Sequence, residues 1–124
     1  MRFLFSRALA GLVAFDLLLL SRDFATLHRT VRNWKVKGID APSNVMDRVC
    51  DAVNRACIWY PKRALCLQRS AVTTCLLRSC GVPAQMVLGA QKLPFKAHAW
   101  VEVGGRAVNE RTDVQAIYGV WERC

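Results

Sequence analysis

The chain has 124 residues and a mass of 13.9 kDa, which suits one domain and excludes two of ordinary size. It is 53% hydrophobic and 22% charged, with 7 Gly and 4 Pro, which excludes a disordered tail, a collagen-like repeat and a low-complexity linker. Eighteen Lys and Arg against nine Asp and Glu give a formal charge of +9. That balance favours an acidic partner or surface, but the cations are scattered from Arg2 to Arg123, so they argue against nucleic acid and read as a solvated basic face.

The N-terminus MRFLFSRALAGLVAFDLLLLSRDF has a basic start and an apolar stretch, yet Asp16 interrupts it and no small-x-small cleavage site follows. From Ala8 to Leu20 it is shorter than the ~20 apolar residues that span a bilayer. A cytoplasmic protein with reduced thiols is expected, with peripheral membrane contact as the alternative. Residues 3–34 predict one long helix or two, since Leu9, Leu12, Val13, Leu17, Leu20, Phe24, Leu27 and Val31 recur mostly at three and four. Lys35–Pro42 reads as a linker. Ser43 is a candidate N-cap for the next helix, whose apolar positions are Met46, Val49, Cys50, Val53 and Cys57 and which should stop before Pro61.

Leu65–Cys80 predicts a helix closed by Gly81, with Pro83 two residues beyond. Its apolar residues surround most of the circumference, the mark of a helix packed on more than one side. Ala84–Ala90 then reads as a strand, Gln91–Lys96 as a polar loop, Ala97–Val103 as a second strand, and Gly104-Gly105 as a turn into Arg106–Glu110. Helices followed by a helix feeding an antiparallel sheet define an α+β domain. The expected division is an N-terminal helical segment and linker at 1–42 and a core at 43–124.

A cysteine acts as a nucleophile through its thiolate, which a helix N-terminus and a nearby imidazolium both favour. Of the six cysteines only Cys66 stands at the start of the central helix, and His98 opens a strand directly after a loop. A third group must hold the imidazole, and the hairpin partner ends in Asn109-Glu110. Cys50, Cys57, Cys75 and Cys80 fit inert, packed thiols, and Cys124 carries no signal. Irregular spacing without a C-x-x-C pair argues against a zinc site. His28 reads as a surface histidine.

The run from Pro61 through Cys66-Leu67-Gln68-Arg69-Ser70, the turn Leu77-Arg78 to Gly81-Val82-Pro83-Ala84, and His98-Ala99-Trp100-Val101-Glu102-Val103 followed by Gly105-Arg106 and Val108-Asn109-Glu110 together resemble one family. It is the transglutaminase-like cysteine leader peptidases of lasso-peptide biosynthesis, in their stand-alone form. The resemblance covers roughly residues 43–124 and implies a transglutaminase- or papain-like fold, with Cys66 as nucleophile, His98 as base and an orienting acid at 110. The family usually has Asp there, whereas this chain has Glu110.

The turn decides the register. A two-residue Gly104-Gly105 turn pairs Val103 with Arg106 and puts Asn109 on the face of His98. A three-residue loop pairs Glu102 with Arg106 and puts Glu110 there instead. The resemblance favours the three-residue loop, with Asn109 as the second candidate and Asp113 as the third. Gln68 or Gln85 is a candidate second oxyanion donor. Arg69 is a candidate substrate contact or structural anchor, and Trp100 a candidate cover for His98. No cofactor is implied. The implied partners are the precursor peptide, a separate small leader-recognition protein, because residues 1–42 leave no room for that domain, and an ATP-dependent macrolactam synthetase. A transglutaminase-like acyltransferase and a non-catalytic peptide-binding scaffold are the competing readings.

Overall fold

The computed structural model describes residues 2–20, 24–38, 44–59, 66–91, 96–108 and 118–124. Four helices precede a four-stranded antiparallel sheet: α1 (Arg2–Leu20), α2 (Phe24–Asn33), α3 (Val45–Trp59), α4 (Cys66–Ser79), then β1 (Ala84–Gln91), β2 (Lys96–Val103), β3 (Arg106–Val108) and β4 (Gly119–Arg123), in the order β3-β2-β1-β4. The N-terminal pattern therefore resolves as two helices, and α3 ends before Pro61. Ser43 and residues 39–42 of the expected linker lie outside the described residues. β4 was not foreseen, because its five residues form an edge strand with little alternation.

The inward face of α1 differs from the expected one. Leu4, Ala8, Leu12 and Phe15 are buried, whereas Val13 and Leu17 are exposed. A helix that is apolar all round does not announce which side packs. Gly11 decides it, since a Cβ there would stand 3.1 Å from Val72 Cγ2; the missing side chain lets α1 approach α4. α3 is rotated by a smaller amount and buries Val45, Val49, Ala52, Val53 and Ala56, leaving Met46, Cys50 and Cys57 on its flanks. Residues of all four helices and of β1 and β2 share one hydrophobic cluster, from Leu4 to Val101.

At the centre is α4, buried almost continuously from Gln68 to Ser79 and packed on α1, α3, β1 and β2. In so buried a helix most polar side chains find partners, although Thr74 Oγ1 is buried without one among the described residues. Gln68 Nε2 donates to Leu12 O, Ser70 Oγ to Ala99 O at 3.0 Å, and Thr73 Oγ1 to Arg69 O at 2.8 Å. The helix ends as its sequence requires: Gly81 has φ 90°, Gly81 N–H donates to Arg78 O and Val82 N–H to Leu77 O, the two bonds of a Schellman cap.

Arg78 is buried as well, and its guanidinium ties three parts of the chain together. Nε donates to Ala84 O at 2.8 Å, Nη1 to Val31 O and to Trp34 O at 3.1 Å, and Nη2 to Cys124 O at 2.7 Å. The expectation of a surface histidine at 28 is corrected here too: His28 is largely covered and its Nε2 lies 3.1 Å from Glu122 Oε2 on β4.

The sheet has two different faces. Ala84, Met86 and Val101 pack toward the helices. Val87 and Trp100 form a separate small cluster with Ala107 and Tyr118. β1 and β2 pair Gly89 with His98 and Val87 with Trp100, which puts His98, Trp100 and Gly89 on this second face. A Cβ on Gly89 would lie 2.7 Å from Trp100 Cη2 and 2.8 Å from Gly119 O, so glycine is what lets the indole lie across β1.

Gly104 and Gly105 have φ 60° and 79°, and Val103 pairs with Arg106. This is the two-residue type I′ hairpin turn. The expected three-residue loop is thereby overturned: two consecutive positive φ values match the twist of the flanking strands directly, and no extra residue is needed.

Two variants test this packing. Arg78→Lys keeps the charge and loses the fork of donors, leaving buried carbonyls unpaired; urea denaturation should show a loss of about 2–4 kcal/mol. Gly89→Ala should cost about 1–3 kcal/mol by overpacking and alter the near-ultraviolet dichroism of the displaced indole.

Candidate active site

Cys66 is the first residue of α4, so its side chain stands where the unpaired N–H groups of the first turn and the positive end of the helix dipole are found. It is exposed, unlike the other five cysteines, all of which are fully or partly buried. One helical turn further on, Ser70 holds the carbonyl of Ala99, the residue after His98. This bond fastens the beginning of α4 to the middle of β2.

As a result Cys66 and His98 border the same two cavities, with Ala99 between them. One holds about 50 Å³ and is lined, among the described residues, by polar Arg69, Ser70 and Thr73 as well as Val101 and Val108. The other holds about 170 Å³ and is walled by Leu67, Leu88, Gly89 and Ala97.

The imidazole of His98 is supported from its own face of the sheet. It stacks on the Trp100 ring, with centroids 5.9 Å apart and planes 23° off parallel, and lies 5.3 Å from the Tyr118 ring. Trp100 is itself fixed, because its Nε1–H donates to Glu102 Oε2 at 2.9 Å. Glu102, 1% exposed, also accepts from Arg123 Nε at 3.1 Å. A buried carboxylate thus finds a cation and a neutral donor, and the ring that backs His98 is held at its far end.

Burial disfavours the thiolate at Cys50, Cys57, Cys75 and Cys124. Burial pushes Cys75 up to about 12, with Arg78 pulling the other way and Cys124 adding a little. Burial also raises Cys50, where Asp47 adds to it and Arg69 opposes, and Cys57, where Arg69 opposes. Cys124 is raised by burial and then by Glu122, against Arg78 and Arg32.

The sequence-derived candidates separate in space. Cys66, His98 and Arg69 line one cavity, with the Trp100 ring stacked on that of His98. Gln68 is turned toward α1, where its amide donates to Leu12 O, and it lines neither of the two cavities. Gln85 pairs with Glu102, four residues along the ladder from Gly89 and His98, or about 13 Å away at strand rise; it too lines neither cavity. Asn109, Glu110 and Asp113 lie outside the described residues. Ser70, Thr73 and Tyr118 belong to the site or its support and carried no signal of it in the sequence beyond Ser70's place in the resemblance. Among the described residues no three His, Cys, Asp or Glu side chains gather as metal ligands would, and no helix is long and apolar enough to cross a membrane.

Comparison with known proteins agrees with this architecture. The profile of the Transglutaminase-like superfamily matches residues 9–122 and so takes in α1 as well as the sheet. The microcin J25-processing protein McjB of Escherichia coli is 36% identical over 50 residues, which is 40% of this chain and 24% of that protein. The chain thus spans about a quarter of the length of the relative it matches. No solved structure matches. Helices before a small antiparallel sheet, a cysteine at a helix start bordering one cleft with a strand histidine, and a profile match over nearly the whole chain lead to one family: the chain belongs to the transglutaminase-like superfamily and is related to the microcin J25-processing protein.

Proposed function

We propose that the protein is a cysteine peptidase that removes the leader from a ribosomally made lasso-peptide precursor. The observation that carries this reading is the shared cleft of Cys66 and His98, with Cys66 the exposed thiol of the six. The name of the related protein, which processes microcin J25, and the motif run from Cys66 to Glu110 point the same way.

In the proposed reaction Cys66 Sγ attacks the carbonyl of the last leader residue as its proton passes to His98. The negative charge that develops on the carbonyl oxygen is held by backbone N–H groups at the start of α4. His98 then protonates the departing amine, and water hydrolyses the thioester with His98 as base. Trp100 and Tyr118 limit the positions open to the imidazole ring. A leader-recognition protein that delivers the precursor and a macrolactam synthetase that receives the core peptide complete the proposal.

The turn bears on the choice of orienting group. With Val103 paired to Arg106, strand alternation favours Asn109 over Glu110 as the partner of His98, and a neutral amide serves that purpose in papain-like enzymes.

Incubating the protein with its precursor, with and without the recognition partner, should yield two peptides by mass; a cross-linked or amidated product would favour acyl transfer to an amine instead. Cys66→Ala should lower turnover at least about 10³-fold while precursor binding persists. Iodoacetamide at neutral pH should label Cys66 first and Cys75 last, since a thiol near 12 is ionised in only about one molecule in 10⁵ at pH 7. Equal labelling rates would count against a nucleophile at position 66. Asn109→Ala should cost about 10²-fold or more in kcat, with Glu110→Gln within a few fold of native; the reverse order would mean that a bulge beyond Val108 inverts the alternation.

A further inference from the structure

The two cavities on either side of Cys66 and His98 are not alike. The smaller carries a guanidinium and two hydroxyl side chains; the larger, about 170 Å³, has almost no polar surface among its described walls, which are Leu67 from α4, Leu88 and Gly89 from β1, and Ala97 and Ala99 from β2. An apolar hollow of about 150 Å³ is large enough to admit a benzene ring. A pocket of this size that borders the nucleophile is a place for a side chain rather than for solvent.

We propose that this cavity is a specificity subsite for one aliphatic or phenyl-sized side chain of the residue flanking the scissile carbonyl, so that the substrates are peptides with an apolar residue next to the cut. The proposal rests on the peptidase reading and adds the substrate class. Its physical basis is that burying each methylene in such a pocket favours binding, whereas a charged or amide side chain would be stripped of water against described walls that, Cys66 and His98 apart, are apolar. Ala97 is exposed at the rim and keeps the mouth open by its small size; Leu67 and Leu88 supply the apolar body. The contrast with the polar cavity on the other side of the same two residues gives the cleft a direction, so a bound peptide has one preferred orientation.

The test uses two series of thiol-directed probes on the full chain. In N-acetyl aminoacyl chloromethyl ketones, Sγ forms a bond to the methylene carbon and chloride leaves; these vary the residue on the acyl side. In peptidyl vinyl sulfonamides, Sγ adds across the double bond and the adjacent carbon takes a proton; these vary the residue on the leaving side. Each series carries glycyl, leucyl, phenylalanyl, aspartyl and lysyl members, and modification of Cys66 is followed by peptide mass mapping. In one of the two series the leucyl or phenylalanyl probe should modify Cys66 about tenfold faster than the glycyl probe, with the charged probes no faster than glycyl. Ala97→Leu, with folding checked by circular dichroism, should bring the leucyl-to-glycyl ratio to about one. Leu67→Ala should move the optimum from leucyl toward phenylalanyl. Rapid labelling of Cys66 with no apolar preference in either series, or with a preference for a charged probe, would overturn the subsite and leave the peptidase reading intact. Glycyl probes that label Cys66 no faster than the other five thiols would overturn both.

Discussion

The bond from Ser70 Oγ to Ala99 O governs the rest of the site. Ser70 lies one turn after Cys66, and Ala99 directly follows His98, so this contact joins the two elements within a few ångströms of the residues that share the cleft. Because both partners are buried, sliding α4 along β2 would leave a hydroxyl and a carbonyl without partners or water, at a cost of about 1–3 kcal/mol each. The register of helix on strand is therefore fixed by polar complementarity as much as by packing.

That contact is one of several that make a helix buried almost throughout from Gln68 to Ser79 tolerable at the centre of the domain. Its first half is tied to α1 through Gln68 and its last turn to α2, β1 and the chain's final residue through Arg78. On the other side of the sheet, His98 stacks on Trp100, whose indole is hydrogen-bonded to Glu102, which is paired with Arg123. Cys66 and His98 are thus supported by different contacts, one set in the helical layer and one behind the sheet.

Much of this was legible in the sequence, and the exceptions have physical reasons. The period-3.6 pattern located the first three helices and alternation located β2, because burial on one side leaves a regular trace, whereas α4, apolar most of the way round, was marked by its Gly81 and Pro83 stop. Other features left no such trace. The face of α1 was ambiguous because Val13 and Leu17 are as apolar as Leu12, and the contact of Gly11 with Val72 lies about 60 residues away in the chain. The role of Arg78 was hidden because a basic residue in a last helical turn ordinarily complements the dipole from the surface. Two consecutive glycines satisfy either hairpin turn, so the register beyond Val103 could not be read from them. At the site, Cys66 was marked by its place at a helix start and His98 by its strand, whereas a glutamine at 68 is long enough to serve either the cleft or α1, and only the packing shows which.

The stack behind the imidazole has an optical consequence. Of the three tryptophans whose burial is described, Trp100 is 1% exposed and Trp34 and Trp59 are 40% and 75% exposed, so among these three the blue edge of the emission spectrum belongs to the indole in contact with His98. A charged imidazole quenches a neighbouring indole more strongly than a neutral one, and the protein therefore carries its own unlabelled reporter of the ionisation state of that ring.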